Sequence, residues 1–412
     1  MNLAVDLHSH SGYAGGVGTI TLEDVSTTMK KKGIDVFGTG DILLPQRFIQ
    51  LEKSLIDNGK GLFKLSQDDS SLFLLQTEVI FTVKLQGYKN KIIAHHIILF
   101  PDFKSVKLCA KLMDKWGQKN TIGRPFIVSE NRQEMIGRME EIIAIHPEIE
   151  IIPAHIMTPD GVMGCKNMLQ DIEEFYGSFL PNIHAVETGL SADPELLQQI
   201  PKISDLTFIS NSDCHSAAYN RIGREFTILS LDHISYSEII RAIRENKLVL
   251  TAEFNPAEGR YYKTGHASKR HTNKEEIIIE PLGAKDLICP ICNKKMTLGV
   301  YDRVKQLRDP NIIPRQRKYI HLIPLVEVIA NSLQLKSLTS NKVIKIYEEI
   351  IRHFCTEIRL WLAEGNEIVQ GLASKIPDQT IAAIIAVKEG KFDFSPAGFD
   401  GEYGKLIINK NN

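Results

Sequence analysis

The sequence predicts an α/β protein with a mainly parallel sheet, open or closed into a barrel, followed by a small basic module and a helical C-terminal region. Three observations carry this. As far as about Leu250, short apolar runs alternate with helix-patterned stretches, the signature of strands joined by helical crossovers. From Glu253 to about Lys318 periodicity fades, and Gly, Lys, Arg, His and a close Cys pair become common. From Tyr319 onward apolar residues recur at helical spacing.

Taken in order, NLAVDLH reads as a strand, and Leu22 to Lys32 as a helix with Thr21 as its cap. DVFGTGD is a strand with a glycine-rich exit. LFLLQTEVIF and NKIIAHHIILF contain the continuous apolar runs of buried strands. EIEIIPAHI, NIHAVETGL and LTFISNSDCH follow the same plan, separated by helices such as Gln133 to Ala144. Further on, Val343, Tyr347, Ile350, Phe354 and Ile358 mark a helix that Ser340 can cap, and Thr380 to Lys388 another.

A chain of 412 residues is long for one core, so two or three domains are expected. The balance of 43% hydrophobic and 24% charged residues is that of a soluble globular protein, and no apolar run is long enough to span a membrane. MNLAVDLHSH lacks the features of a signal peptide. Six cysteines, with only Cys289 and Cys292 close together, suit a reducing compartment, and a cytoplasmic location is expected. A net charge of −1 gives no global attraction to nucleic acid, so any such binding needs a local basic patch.

The informative pattern is where the imidazoles and carboxylates fall. His8 and His10 lie two apart on a strand and so face one side, with Asp6 sharing their parity. Asp41 closes the next strand, Glu78 lies within QTEV, His95 and His96 within IIAHHIILF, and His155 ends PAH. Asp213 and His215 end NSDCH, again two apart. In α/β architectures functional groups collect at the C-terminal ends of strands. A set of N and O donors there suits Zn²⁺, Mn²⁺ or Fe²⁺, several of which could share a carboxylate. Such ions make hydroxide available near neutral pH and offset charge on a phosphoryl oxygen. A single histidine is more often a packing residue, and His146, His233, His321 and His353 are read so, with His184 and Glu187 as weak candidates.

DLHSH, GTGD, QTEV, AHH, PAH and SDCH, in that order, resemble the polymerase-and-histidinol-phosphatase (PHP) family over roughly the first 230 residues. PAHIMTPDGVMG, AVETGLSADP, RIGREF, EGRYYKTGH, CPICNKKMTLGVYDRV and GFDGEYGKL resemble, more narrowly, the endonuclease Q family, over nearly the whole chain. The resemblance implies a distorted seven-stranded β/α barrel over residues 1–252, a small zinc-binding basic module over 253–318 and a C-terminal helical region over 319–412. It implies a metal-dependent endonuclease that nicks DNA 5′ to deaminated bases (uracil, hypoxanthine, xanthine) or abasic sites, with a sliding clamp as a partner. Carried over by position, the ligands are His8, His10, Asp41, Glu78, His95, His155, Asp213 and His215, with Zn, Mn, Mg or Fe as the metal. Glu78, Asp213 and His215 are the catalytic candidates, Glu78 bridging metals. His95 aligns better than His96, and only one of two strand neighbours should face the site.

The chain departs from the family in two places. The family usually has histidine three residues after the aspartate of GTGD, where this chain has Leu44. In the module, a cysteine usual after GH is absent; Cys289 and Cys292 then need two more ligands, best supplied by His266 and His271. Within Arg260–Lys318, Arg260, Lys263, Lys269, Arg270 and Arg303, interleaved with Tyr261, Tyr262 and Tyr301, are the expected DNA-binding side chains. Arg224 is a phosphate contact or a salt-bridge partner, and the loop Ile156 to Lys166 is a candidate wall for a flipped base. Two rival readings are a small-molecule phosphatase of the histidinol-phosphate type, and a DNA-binding protein with a weakened site, for which Leu44 is the argument.

Overall fold

The computed structural model describes residues 1–14, 18, 20–65, 68–271 and 287–408. In chain order the strands are β1 (Asn2–Asp6), β2 (Val36–Gly38), β3 (Leu55–Asp57), β4 (Phe63–Leu65), β5 (Asp68–Val83), β6 (Ile92–Phe100), β7 (Phe126–Ser129), β8 (Glu150–Pro153), β9 (Ala185–Glu187), β10 (Thr207–Ile209), β11 (Phe226–Ser230), β12 (Leu248–Glu253), β13 (Tyr319–His321) and the antiparallel pair β14 (Phe392–Phe394) and β15 (Leu406–Ile408). Eleven of them form one sheet whose main path runs β13-β12-β11-β1-β2-β5-β4-β3, with β6 and β7 also on β5 and β8 on β6. Strands β9 and β10 form a separate parallel pair.

The sheet is mixed rather than mainly parallel. β1, β2, β5 and β7 are parallel neighbours. β5–β6, β6–β8, β1–β11 and β11–β12 are antiparallel. The reason is connection length. β5 and β6 are joined by eight residues, enough for a hairpin and too few for the crossover a parallel pair needs. Among the described residues the pairing does not close into a barrel.

Local chemistry sets the element ends. Thr21 caps the helix Leu22–Lys32, its hydroxyl accepting from the Asp24 N–H at 3.0 Å, and Gly33 ends that helix at φ +87°. The helix expected from Gln133 runs Arg132–Ile143 and is capped by Asn131. Ser340 caps Asn341–Phe354, but the helix stops at Phe354, and Ile358 belongs to the next one, Glu357–Leu362.

Apolar residues fill both faces of the sheet. The larger cluster runs from Ala4 through the helices Leu325–Ser332, Asn341–Phe354 and Asp378–Lys388, so the C-terminal helices share a core with the sheet. The smaller cluster seats the helix Tyr236–Arg244 on the opposite face. β13, from the stretch after residue 318, lies parallel to β12 and extends the same sheet. Among the described residues no helix is long and apolar enough to cross a membrane.

Candidate metal centre

Backbone bonds beyond the strand ends draw the candidate ligands inward. The His10 N–H donates to the Cys214 carbonyl at 2.9 Å, and the Ile156 N–H to the Glu187 carbonyl at 3.0 Å. Asp41, His155 and Asp213 have φ of +54°, +32° and +44°, a left-handed region that non-glycine residues occupy rarely and that clusters at functional sites. Gly189 is needed here: a Cβ on it would lie 2.4 Å from the His155 Cβ, and its own φ is +69°.

Seven of the eight expected ligands converge. His8 Nε2 lies 3.8 Å from Glu78 Oε1 and 3.7 Å from Asp213 Oδ1. His10 Nε2 lies 3.5 Å from Glu78 Oε2 and 3.2 Å from Asp213 Oδ1. His95 Nδ1 and His155 Nε2 sit 2.7 and 3.2 Å from Glu78 Oε1. The His215 ring is 4.5 Å from that of His10. Glu78 is thus at the centre, faced by four imidazoles on or just after three strands, β1, β6 and β8. His96 faces the opposite side, its Nε2 2.7 Å from the Tyr176 hydroxyl, and burial lowers its pKa to about 3, so it is a neutral core residue.

Asp41, expected as a ligand, stands one position further out. Its Oδ1 pairs with His10 Nδ1 at 3.0 Å, and its Oδ2 accepts from the Ser11 N–H and hydroxyl at 2.7 and 2.6 Å. With both oxygens engaged, it fixes the His10 ring rather than adding a donor to the cluster. Glu187 does the same for His8, whose Nδ1 lies 3.0 Å from Oε1, while accepting from the His155 N–H and the Asn211 amide. Thr158 holds His155 Nδ1 at 2.7 Å. His8, His10 and His155 are so oriented with Nε2 aimed at the cluster, the arrangement that metal-binding histidines use, whereas His95 presents Nδ1. Glu187 deserved more weight than the sequence suggested; its signal was its place at the last residue of a strand.

The electrostatics reinforce the geometry. Burial disfavours charge on His8 and His10, but it is outweighed. Glu187, Asp213 and Glu78 lift His8 to about 9, and Asp213, Asp41 and Glu78 lift His10 to about 10. Burial pushes Glu78 and Asp213 up, yet the facing imidazoles, His95 first for Glu78 and His8 first for Asp213, hold both well below the carboxylate range. His8 Nε2, His10 Nε2, Glu78 Oε2 and Asp213 Oδ1 are buried with no hydrogen-bond partner. Four orphaned donors or acceptors aimed at one point are costly unless something bridges them. Their N/O composition fits divalent cations.

A second cluster gathers His266, His271, Cys289 and Cys292. Cys292 Sγ is 3.3 Å from His266 Nε2, and Cys289 Sγ is 3.5 Å from His271 Nε2. Asp400 holds His266 Nδ1 at 2.5 Å and accepts from the backbone of Arg270. Burial raises the Cys289 thiol, but backbone N–H groups of Cys292 and Ile291 bring it below its usual value. Two Cys and two His within mutual reach are a tetrahedral donor set.

The expected DNA-binding residues divide. Lys263, Lys269 and Arg270 are exposed, Lys269 pairing with Glu402 at 3.0 Å. The Arg260 guanidinium lies over the Tyr261 ring. Arg303 corrects the expectation. It is 1% exposed, and it donates from Nε to the Met163 carbonyl at 3.1 Å and from Nη2 to the Leu169 carbonyl. Satisfying carbonyls of the loop after His155 draws it inward, out of reach of any phosphate. Arg224 donates to the Ser212 carbonyl at 3.0 Å and has no salt bridge among the described residues. His184 pairs with Glu150, and Leu44 is buried in the core.

The fold and the cluster together define a candidate metal centre on a mixed α/β scaffold. No family model matches the chain. Over 271 residues it is 33% identical to an uncharacterised protein of Methanocaldococcus jannaschii, a match covering 63% of this chain and 33% of that protein. The chain therefore spans about a third of that relative's length. It is 26% identical to an uncharacterised protein of Bacillus subtilis, over 97% of this chain and 98% of that one. Among solved structures it resembles, along its whole length, the lesion-specific endonuclease Q of Pyrococcus furiosus, with a TM-score of 0.81 and 27% identity over 99% of this chain and 96% of that one. An endonuclease Q complex with a 27-mer duplex substrate carrying an abasic lesion at the active site gives a TM-score of 0.82 and 27% identity, over 99% and 97% of the two chains.

Proposed function

We propose that the protein is a metal-dependent DNA repair endonuclease that nicks the strand 5′ to a deaminated base (uracil, hypoxanthine or xanthine) or an abasic site. One observation carries this reading: a full-length likeness to endonuclease Q coincides with buried, unpartnered His8, His10, Glu78 and Asp213 atoms aimed at one point. His8, His10, Glu78, His95, His155, Asp213 and His215 hold the divalent ions, with Glu78 shared between them. Asp41 and Glu187 orient the imidazoles of His10 and His8. Bound there, the ions supply a water of lowered pKa and Lewis acidity toward the phosphoryl oxygens.

On this reading residues 1–252 are the hydrolytic domain, its sheet a distorted and unclosed form of the PHP barrel. Residues 253–318 are a basic module whose Cys₂His₂ set holds one structural zinc, and 319–412 complete the core. Lys263, Lys269 and Arg270 contact the duplex backbone, and a sliding clamp recruits the protein. The decayed-site reading rests on Leu44 alone, whereas the convergent donor set is otherwise present.

The test is a strand-nicking assay with Mg²⁺, Mn²⁺ or Zn²⁺ on duplexes containing uracil, hypoxanthine or an abasic site, beside p-nitrophenyl phosphate. Nicking of only the lesion strand is expected, abolished by Asp213→Ala. Turnover of the small ester alone, or duplex binding without nicking, would overturn the proposal.

A further inference from the structure

Arg124 stands at the mouth of the metal centre without a partner adequate to its charge. Its side chain is 31% exposed, and its Nε lies 3.7 Å from Glu78 Oε2, beyond hydrogen-bond distance. Among the described residues its guanidinium makes no hydrogen bond. The loop that carries it is nevertheless pinned on both sides of the arginine. The Asn120 amide donates to the Leu43 carbonyl, and the Pro125 carbonyl accepts from the Ile80 N–H at 2.9 Å. Gly123 lies so close against Asp41 that a Cβ would fall 2.6 Å from its Cγ. The loop thus rests on the carboxylate that orients His10, and the backbone that carries the arginine is held at the mouth of the cluster.

Charge decides what that guanidinium is for. In the protein without metal, Glu78 is its nearest anion. With divalent cations on Glu78 and Asp213 the local charge would turn positive, and a guanidinium a few ångströms away would be repelled unless an anion lay between. A tetrahedral phosphoryl group meets that need, since one oxygen can lie on the metals while another accepts from the planar N–H fork. From this arrangement we propose that Arg124 is a catalytic residue that binds a non-bridging oxygen of the phosphoryl group undergoing hydrolysis, opposite the metal-bound face. Charge that develops on that oxygen in the transition state then meets a donor already in position. The inference rests on the phosphoesterase reading of the site, and the lesion specificity is separate from it.

Titration of inorganic phosphate into the Mn²⁺-loaded full-length protein, followed by calorimetry, tests it. Arg124→Ala is expected to weaken phosphate binding roughly tenfold or more, with Arg124→Lys intermediate and metal stoichiometry unchanged in both. On a lesion duplex, replacing the scissile phosphate by an uncharged methylphosphonate is expected to cost the wild type more affinity than it costs Arg124→Ala, which has already lost one of the two contacts. Equal phosphate affinity in wild type and Arg124→Ala would overturn the proposal. So would loss of metal from Arg124→Ala, because the guanidinium would then serve only to support Glu78. Arg124-dependent phosphate binding in a protein that nicks no DNA would keep the inference and remove the endonuclease reading.

Discussion

At the scale of single residues, the carboxylates behind the imidazoles matter as much as the ligands. Glu187 is wholly buried and accepts from His8 Nδ1, the His155 N–H and the Asn211 amide at once. Glu187→Gln keeps the shape but removes the charge that fixes the His8 tautomer, and is expected to weaken metal binding roughly 10–100-fold with little change in fold. A competition titration with a chromophoric chelator measures it; unchanged affinity would mean that His8 is oriented by packing alone. The raised pKa values of His8 and His10, about 9 and 10, give a second expectation. Metals bind neutral imidazole, whereas the facing carboxylates favour the doubly protonated imidazolium of both rings near neutral pH in the metal-free protein. Metal uptake therefore releases protons, and affinity rises with pH until about 10, then levels off. Calorimetry in buffers of differing ionisation enthalpy reads the proton count, and none released at pH 7 would contradict the assignment.

At the scale of elements, the helix Val300–Leu307 ties the stretch before His266 to the loop after His155. Asp302 accepts from the Thr264 hydroxyl at 2.6 Å, two residues before His266, and Arg303 on the same helix closes on the loop after His155. Arg303→Met should leave the buried Met163 and Leu169 carbonyls without a donor and loosen residues 156–169. Amide exchange in that loop is expected to rise while metal stoichiometry at His8 and His10 is kept; unchanged exchange would show that the loop is held elsewhere. This latch illustrates what the sequence conceals. Much of the set that gathers around Glu78 was legible because period-2 alternation places His8 with His10 and separates His95 from His96. Thr21 and Ser340 announced helix starts through local chemistry. Arg303 could not be placed that way, since whether an arginine meets a phosphate or a buried carbonyl depends on a partner some 140 residues away. Asp41 was misplaced for a related reason: it ends a strand as a ligand would, and only the neighbouring His10 and Ser11 reveal that its oxygens are spent. Arg124 lies in a loop with no periodicity at all, and the antiparallel partners of β5 and β1 follow from connections rather than from strand patterns.

At the scale of the whole molecule, the first strands and the last helices are joined by a buried ion pair inside a shared core. Lys32, at the end of the helix Leu22–Lys32, donates to Glu357 at 2.7 Å, with side chains 2% and 3% exposed. Glu357 also accepts from the Leu325 N–H at 3.0 Å and the Tyr347 hydroxyl at 3.2 Å, and Lys32 from its side donates to the Tyr219 carbonyl. Such a pair adds little net stability over a well-packed apolar substitute, because both charges were taken out of water. Its removal by halves is another matter. Lys32→Met leaves the Glu357 carboxylate buried without its cation and is expected to cost about 3–5 kcal/mol. Lys32→Met combined with Glu357→Leu removes both charges and should cost distinctly less than the sum of the two single changes. Urea unfolding of the four proteins measures the coupling. Because apolar contacts run without a break from Ala4 to Ile408, the losses should appear in one transition of the entire chain. Additive single changes, or a C-terminal helical region that melts before the sheet, would show that the charges merely lie side by side and that the helices fold on their own.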